Sequence, residues 1–218
     1  MKKLIKRALG LASLLLLTAC VTTAPVDTST FKASDPKSIL VLPPTNDSPE
    51  VVAAYGVWAQ SHLPSAESGY YVFPASLVHA TFLNNGISNG AEAQEIPLNK
   101  LREIFGADAV LYLNIEEYGT RYIVINSITE ARVRGRLVDS RNGEVIWEGS
   151  TYASVDSGSS SNIFSALIGA ALSQIINTAT DQAYSVAGVA NYQLLHSKAR
   201  SDIPYGPRSP HYWRNTSQ

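Results

Sequence analysis

The sequence predicts an α/β domain: a mixed β-sheet packed by helices, with a C-terminal amphipathic helix. Three observations carry that expectation. Short apolar runs alternate with helix-like stretches from Ser38 to Tyr118. A long run of alternating character leads into Asn142-Gly143, and a second such run follows it. Beyond these, paired apolar residues recur every four positions from Ile163 to Ile176. There is no internal repeat.

The elements follow in order. Ser38 to Pro43 is a short apolar run closed by Pro43-Pro44, which reads as a first buried strand. In the segment Asn46 to Glu50, Asp47 or Ser48 supplies an N-cap, Pro49 suits the first turn and Glu50 favours the helix dipole. That helix is expected to reach about His62 and to stop before Pro64, because the residue before a proline disfavours helical backbone. Gly69 to Pro74, rich in aromatic and β-branched residues, reads as a second strand. Ala75 to Leu83 is a short helix stopped by Asn84-Asn85-Gly86. Residues 98–105, after Pro97, form another, ended by Gly106. Ala109 to Tyr118 is a third strand, running into the hydrophobic–polar alternation of Glu116 to Ile123.

A hairpin is the clearest local expectation. Ile123 to Val138 is one long extended stretch in which Ala131, Val133, Gly135 and Leu137 alternate with Arg132, Arg134 and Arg136. A period of two gives one buried and one charged face. Asn142-Gly143 then separates it from Glu144 to Ala153, and Asn-Gly is a strong short-range hairpin signal. Asp156 to Ser161 is a Gly/Ser linker. The helix after it has Ile163, Phe164, Leu167, Ile168, Leu172 and Ile175 on a wide apolar face. These six residues either pack on the sheet or form an interface with another subunit or a membrane surface. The small residues Gly169, Ala170 and Ala171 would let a second helix approach. The stretch is too short to span a bilayer. From about Ser197 the chain, 197–218, reads as an irregular tail.

The first twenty residues address the chain. Lys2, Lys3, Lys6 and Arg7 precede an apolar run from Ala8 to Leu17, which suits a signal-peptide core and not a membrane-spanning helix. Leu17-Thr18-Ala19-Cys20 resembles a bacterial lipobox, in which the cysteine is acylated and cleavage falls just before it. Residues 1–19 are thus expected to be a lipoprotein signal and Cys20 the lipidated N-terminus. One acyl chain holds a protein weakly and two or more hold it firmly. Val21 follows Cys20 where inner-membrane lipoproteins usually carry Asp, so the expected site is the outer membrane, facing the periplasm or the cell surface. Residues 20–36 read as a Thr/Ser/Pro-rich tether and 37–196 as a single domain. At ~3.4 Å per residue the tether spans at most about 55 Å. Cys20 is the sole cysteine, which rules out an intrachain disulfide, a thiolate metal site and a catalytic cysteine in the domain.

After removal of the signal, thirteen basic residues face eighteen acidic ones, a net charge of −5. Such a chain has no electrostatic footprint for a phosphate backbone, so nucleic acid is not an expected partner. His62, His79, His196 and His211 show no metal-ligand spacing, and the remote pair His196/His211 lies in an expected loop. Glu116 and Glu117 are adjacent on a strand and should point to opposite faces, so they are not expected to act as one acid–base pair. No nucleophile elbow or phosphate-binding loop occurs. No catalytic residue, cofactor, metal or small-molecule substrate is therefore expected.

Four segments together resemble one family: Ile39 to Pro44, Gly69 to Pro74, Phe105 to Tyr112, and Val138-Asp139 through Asn142-Gly143-Glu144 to Trp147. Their order and spacing are similar to those of the small lipoproteins of unknown function typified by a neisserial genome-derived antigen. The resemblance runs from Cys20 to about Ala190. It implies a fold similar to the TolB N-terminal domain, the periplasmic part of the CsgG pore and lipoprotein activators of penicillin-binding proteins. It also implies a CsgG-like envelope lipoprotein as neighbour, and it brings no catalytic residues; the expected partner is such a lipoprotein or a second copy of the chain. Two departures are the long aromatic tail and Asn142, where Thr is common. The expected function is a non-enzymatic interaction or assembly module of the envelope. A secretion-pore component and an activator of a peptidoglycan synthase are the alternatives.

Overall fold

The computed structural model describes residues 27–123, 126–156, 179–199 and 203–212. The signal, the lipobox, Cys20 and the apolar residues from Ile163 to Ile175 lie outside them. In chain order the elements are α1 (Ser29–Ser34), β1 (Ser38–Val41), β2 (Thr45–Asn46), α2 (Ala53–Glu67), β3 (Tyr71–Val72) and α3 (Ala75–Asn84). They continue with α4 (Gly90–Gln94), α5 (Leu98–Phe105), β4 (Ala109–Ile123), β5 (Asn126–Asp139), β6 (Val145–Asp156) and α6 (Ala179–Leu195). The sheet runs β3-β1-β4-β5-β6, parallel where β1 meets β3 and β4, antiparallel from β4 to β6. The expected mixed sheet packed by helices is what the chain forms, and α6 is its C-terminal helix.

Two prolines shape the first half. β1 pairs with β4 from Ile39↔Ala109 to Val41↔Leu111, and Pro43-Pro44 then interrupt the ladder because neither has an N–H to give. Pairing resumes along the same strand at β2, with Thr45 opposite Asn114 and Asn46 opposite Ile115. Gln94 bridges the gap, its Nε2 donating to the carbonyls of Pro43 at 3.0 Å and Leu113 at 2.8 Å. Gln94→Ala leaves those carbonyls without that donor and should cost about 1–2 kcal/mol in a urea unfolding curve.

β2 also explains why α2 starts late. The Asp47 N–H donates to the Ile115 carbonyl at 2.8 Å and so extends the ladder past β2, while Ser48 gives its N–H and O–H to Asn46 Oδ1 and caps no helix. The helix begins at Ala53, and it continues through Pro64 to Glu67 instead of stopping before it. Proline costs one backbone bond. Here Ser61, Pro64 and Ser65 are buried, and the Ser65 and Ser68 hydroxyls donate to the carbonyls four residues back. Ser68 also reaches the Leu195 carbonyl at 3.2 Å, at the end of α6.

β4 begins, and α5 begins and ends, where expected; Gly106 closes α5 at φ +68°. α3 runs one residue beyond the expected Leu83. The stretch read as one strand from Ile123 is divided. β4 ends at Ile123, which pairs with Asn126 at the start of β5, and no glycine or Asn-Gly in the sequence announces that reversal. At the other end, the loop Ser140 to Gly143 joins β5 to β6, with Gly143 at φ +77°. With Glu144 it makes five residues between the strands, closed by the Asp139 N–H on the Glu144 carbonyl, and is not a two-residue Asn-Gly turn.

One sheet face is covered. Leu111, Leu113, Ile115, Val133 and Leu137 are fully buried there beneath α2 and α6, with Val186, Ala187, Ala190 and Leu194 from α6. Gly135 and Gly149 face each other in register, and a Cβ on either would meet the Trp147 ring, at 3.1 Å and 2.6 Å. The paired glycines give the indole its seat against Leu194.

Residues 28–36 are not all tether, because α1 buries Phe31 edge-on to Tyr70, ring centroids 6.4 Å apart. Ser34 donates to Asp139 at 2.7 Å, and Arg141 Nε donates to the same carboxylate at 2.9 Å. Burial pushes the Asp139 carboxyl up, but the hydrogen bonds from Arg141 and Ser34 outweigh it and hold the pKa at about 2. The described part of the tail has no long regular element, yet it is not loose. Ile203, Pro204, Gly206 and Ser209 are buried. The N–H groups of Gly206 and Arg208 donate to the carbonyls of Ser68 (2.8 Å) and Gly69 (3.0 Å). This pairing and Gly69 at φ +98° explain why the second strand is Tyr71–Val72 and not the whole of Gly69 to Pro74.

Candidate functional site

Two surfaces stand out. The first is the uncovered face of β4, β5 and β6. Tyr112, itself buried, lies opposite Arg136, Asn114 opposite Arg134 and Glu117 opposite Arg132, with Glu148, Ser150 and Tyr152 on β6 facing the same three arginines. The arginine stripe is thus the open face of the sheet, as its period of two predicts. Arg134 meets Glu116 at 2.8 Å, Arg132 lies 3.4 Å from Glu117 and 4.5 Å above the Tyr152 ring, and Arg136 lies 5.2 Å above that of Tyr112.

Glu116 and Glu117 do not point apart. The register slips between Ile115 and Glu117, a β-bulge with one extra residue, and the bulge lets both carboxylates reach Arg132, at 4.0 and 3.4 Å. Salt bridges this exposed contribute little individually. Together they make a polar, patterned surface.

The second surface is a cleft of about 660 Å³ beyond the C-terminal end of β1. Its floor is Pro43-Pro44. Its walls are Tyr55 and Trp58, three apart on α2, and His79 and Phe82, three apart on α3. The His79 ring lies 5.8 Å from that of Trp58 and 6.1 Å from that of Tyr55. Trp58 is fixed by its Nε1–H on the Val41 carbonyl at 3.0 Å. Ser48 and Asn46 sit on the rim, but Ser48 spends its N–H and O–H on Asn46 Oδ1. The one sequence signal of the cleft is the spacing of three within each helix, which does not say that the two pairs meet.

Neither surface holds a reacting set among the described residues. Ser61 Oγ lies 3.5 Å from His62 Nδ1 but gives its proton to the Trp58 carbonyl at 2.7 Å. Burial lowers the His62 pKa. His196 stacks on Tyr192 and lies 3.9 Å from Glu67, while His211 packs on Tyr205, so the two remote histidines have separate surroundings. Among the described residues no group of three His, Cys, Asp or Glu is placed to hold a metal ion, and no helix is long and apolar enough to cross a membrane.

The family described as "Putative lipoprotein GNA1162-like" matches residues 26–208. The chain belongs to the GNA1162-like family. Within the family's reach, it is 47% identical over 205 residues to a putative lipoprotein of Neisseria meningitidis serogroup B, covering 92% of this chain and 94% of that one. The crystal structure of lipoprotein GNA1162 from Neisseria meningitidis superposes with a TM-score of 0.55 at 46% identity, over 58% of this chain and 88% of that one. A looser likeness is to PelC from Paraburkholderia phytofirmans, solved as a dodecamer, at 14% identity and a TM-score of 0.46, over 80% and 92% of the two chains. The family assignment agrees with the resemblance read from Ile39–Pro44, Gly69–Pro74 and Phe105–Tyr112.

Proposed function

We propose that the chain is an outer-membrane lipoprotein, anchored through acylated Cys20 and facing the periplasm, that works as a non-enzymatic interaction module in envelope assembly or secretion. The observation that carries this reading is the half-covered sheet. Its apolar face is buried under α2 and α6, and its other face offers an uncovered ladder of arginines, carboxylates and tyrosines. A surface of that kind suits a protein partner more than a substrate. The lipobox and membership of a lipoprotein family support the anchor. A CsgG-like lipoprotein or a second copy of the chain is the partner we infer, and Ile163, Phe164, Leu167, Ile168, Leu172 and Ile175 remain the proposed interface on the chain's side. The TolB-like description of the fold belongs to the same reading.

A pore wall is less suited. A lipid-facing strand needs an apolar outer face, and in β4 to β6 that face is occupied by α2 and α6. Activation of a peptidoglycan synthase needs reach, and residues 21–28 leave only a short lead before α1. The test is cross-linking of the native protein in isolated outer membranes, followed by pull-down, mass spectrometry and sizing. A defined homo-oligomer or an envelope lipoprotein partner is the expected result. A monomer with no envelope protein attached would overturn the assembly reading.

A further inference from the structure

One end of the domain gathers features that neither the arginine face nor the cleft uses. α1 ends there at Ser34, β1 and β3 begin there, and the described tail is tied there to Ser68 and Gly69. The Ser197 N–H donates to Ser68 Oγ at 2.9 Å, which brings the end of α6 to the same place. Besides Arg141, which Asp139 holds, the exposed cations at this end include Lys37, Lys198 and Arg208. None of these last three has a carboxylate within 4.0 Å among the described residues, in a chain whose mature charge is acidic overall. Of the carboxylates at this end, Glu144 on the β5–β6 loop is exposed, and the others nearby are engaged within the fold. Asp35 accepts the Tyr212 hydroxyl, Asp108 accepts the N–H groups of Lys37 and Ser38, Asp139 holds Arg141, and Glu67 faces His196. Tyr71, 39% exposed, lies under the Arg208 guanidinium at 5.3 Å. Basic groups beside tyrosines are the composition that favours a membrane–water interface.

Chain length says which membrane. Residues 21–28 separate Cys20 from α1. Extended, they reach about 30 Å, and as a coil about 15 Å. β4 runs away from this end for fifteen residues, about 45 Å, to Tyr122 and Ile123. Standing the domain on that far tip would lift α1 by about 45 Å, more than the lead can span. The end that bears α1 is therefore the one the anchor can bring down to the bilayer.

We propose that the end formed by Lys37, Tyr71, Lys198, Arg208 and Tyr212 rests on the anionic phospholipid surface of the membrane that holds Cys20, so that the anchor and a headgroup contact together fix the domain's orientation. The proposal rests on the acylation of Cys20 proposed above. The arginine face then stands beside the membrane normal, and the Tyr122 tip projects away from the bilayer.

The test is hydroxyl-radical footprinting of the lipidated protein, reconstituted into phosphatidylcholine vesicles with or without phosphatidylglycerol and read by mass spectrometry. Tyr71 and Tyr212 are expected to be labelled several-fold less with phosphatidylglycerol present, and Tyr122 equally in both. Lys37→Glu and Arg208→Glu change exposed side chains, and each should lose about fivefold of that protection. Equal labelling of Tyr71 and Tyr212 in the two vesicles, or protection of Tyr122 instead, overturns the proposal. The intact mass of the same sample reports acylation separately. An acylated protein with unprotected Tyr71 overturns the surface and leaves the anchor standing. An unacylated protein that still pellets with phosphatidylglycerol vesicles supports the surface and overturns the anchor, whereas one that does not pellet overturns both.

Discussion

Arg141→Ala should lower the unfolding free energy by about 3 kcal/mol at neutral pH, one of the two largest single-residue effects expected here. The reason is the company Arg141 keeps. Its guanidinium holds the buried Asp139 carboxylate and also donates to the Ser34 carbonyl, so one side chain closes α1 onto the end of β5. Removing it leaves a buried charge with the Ser34 hydroxyl and the Arg141 N–H as its remaining donors. For a domain of this size the loss corresponds to a fall in Tm of roughly 6–12 °C.

The pH dependence gives that prediction a sign. Asp139 has a folded pKa of about 2 against an ordinary 3.8, so the unfolded chain binds its proton first as pH falls. Its contribution, about 2 kcal/mol, is present above pH 4 and lost between about 4 and 2. In Arg141→Ala the guanidinium no longer holds that pKa down, so the deficit relative to wild type should shrink on acidification. His62, lowered by burial, adds an earlier loss as pH falls through about 6.5. Urea unfolding curves at pH 7, 5 and 3 check both limbs. A deficit that stays constant across that range would mean that the ion pair is not what closes α1.

Gly90→Ala is the second large effect. Gly90 opens α4 directly against the proline break in the sheet, and a Cβ there would sit 1.9 Å from the Pro44 carbonyl oxygen. That neighbour is backbone, so α4 itself must retreat, taking with it Gln94 and its two bonds to Pro43 and Leu113. The expected cost is about 3 kcal/mol, at the upper end for overpacking. Gly86→Ala is the matched control. Gly86 has φ +79° but nothing within 4 Å of an added Cβ, so only backbone strain of about 1 kcal/mol applies. Thermal melts of the two variants should therefore be well separated. If Gly90→Ala melts no lower than Gly86→Ala, α4 does not hold the break as described.

What the sequence shows well is what neighbours along the chain decide. Pro97 and Gly106 bracket α5, and the alternation of Arg132, Arg134 and Arg136 with Ala131, Val133, Gly135 and Leu137 sorts the faces of β5. What it hides depends on partners far away. Asp47 looks like a cap until Ile115 claims its N–H, and α1 looks like tether until Asp139, more than a hundred residues later, holds Ser34. The bulge at Glu116 has no glycine to announce it, and it reverses the reading of Glu116 and Glu117. The cleft is similar. Tyr55, Trp58, His79 and Phe82 each belong to a helix that periodicity predicts, but their meeting is set by how α2 and α3 lie against Pro43-Pro44. The uncovered arginine face was half legible, since its pattern marks a solvated strand face without saying that no helix covers it.

Both the assembly reading and the membrane-facing end depend on the anchor, which one measurement addresses directly: the mass of the N-terminal peptide from protein isolated from outer membranes. The account predicts a chain that begins at Cys20 and carries a diacylglyceryl group on the thiol and an acyl chain on the amine. A peptide that still begins at Met1, or an unmodified Cys20, would contradict it.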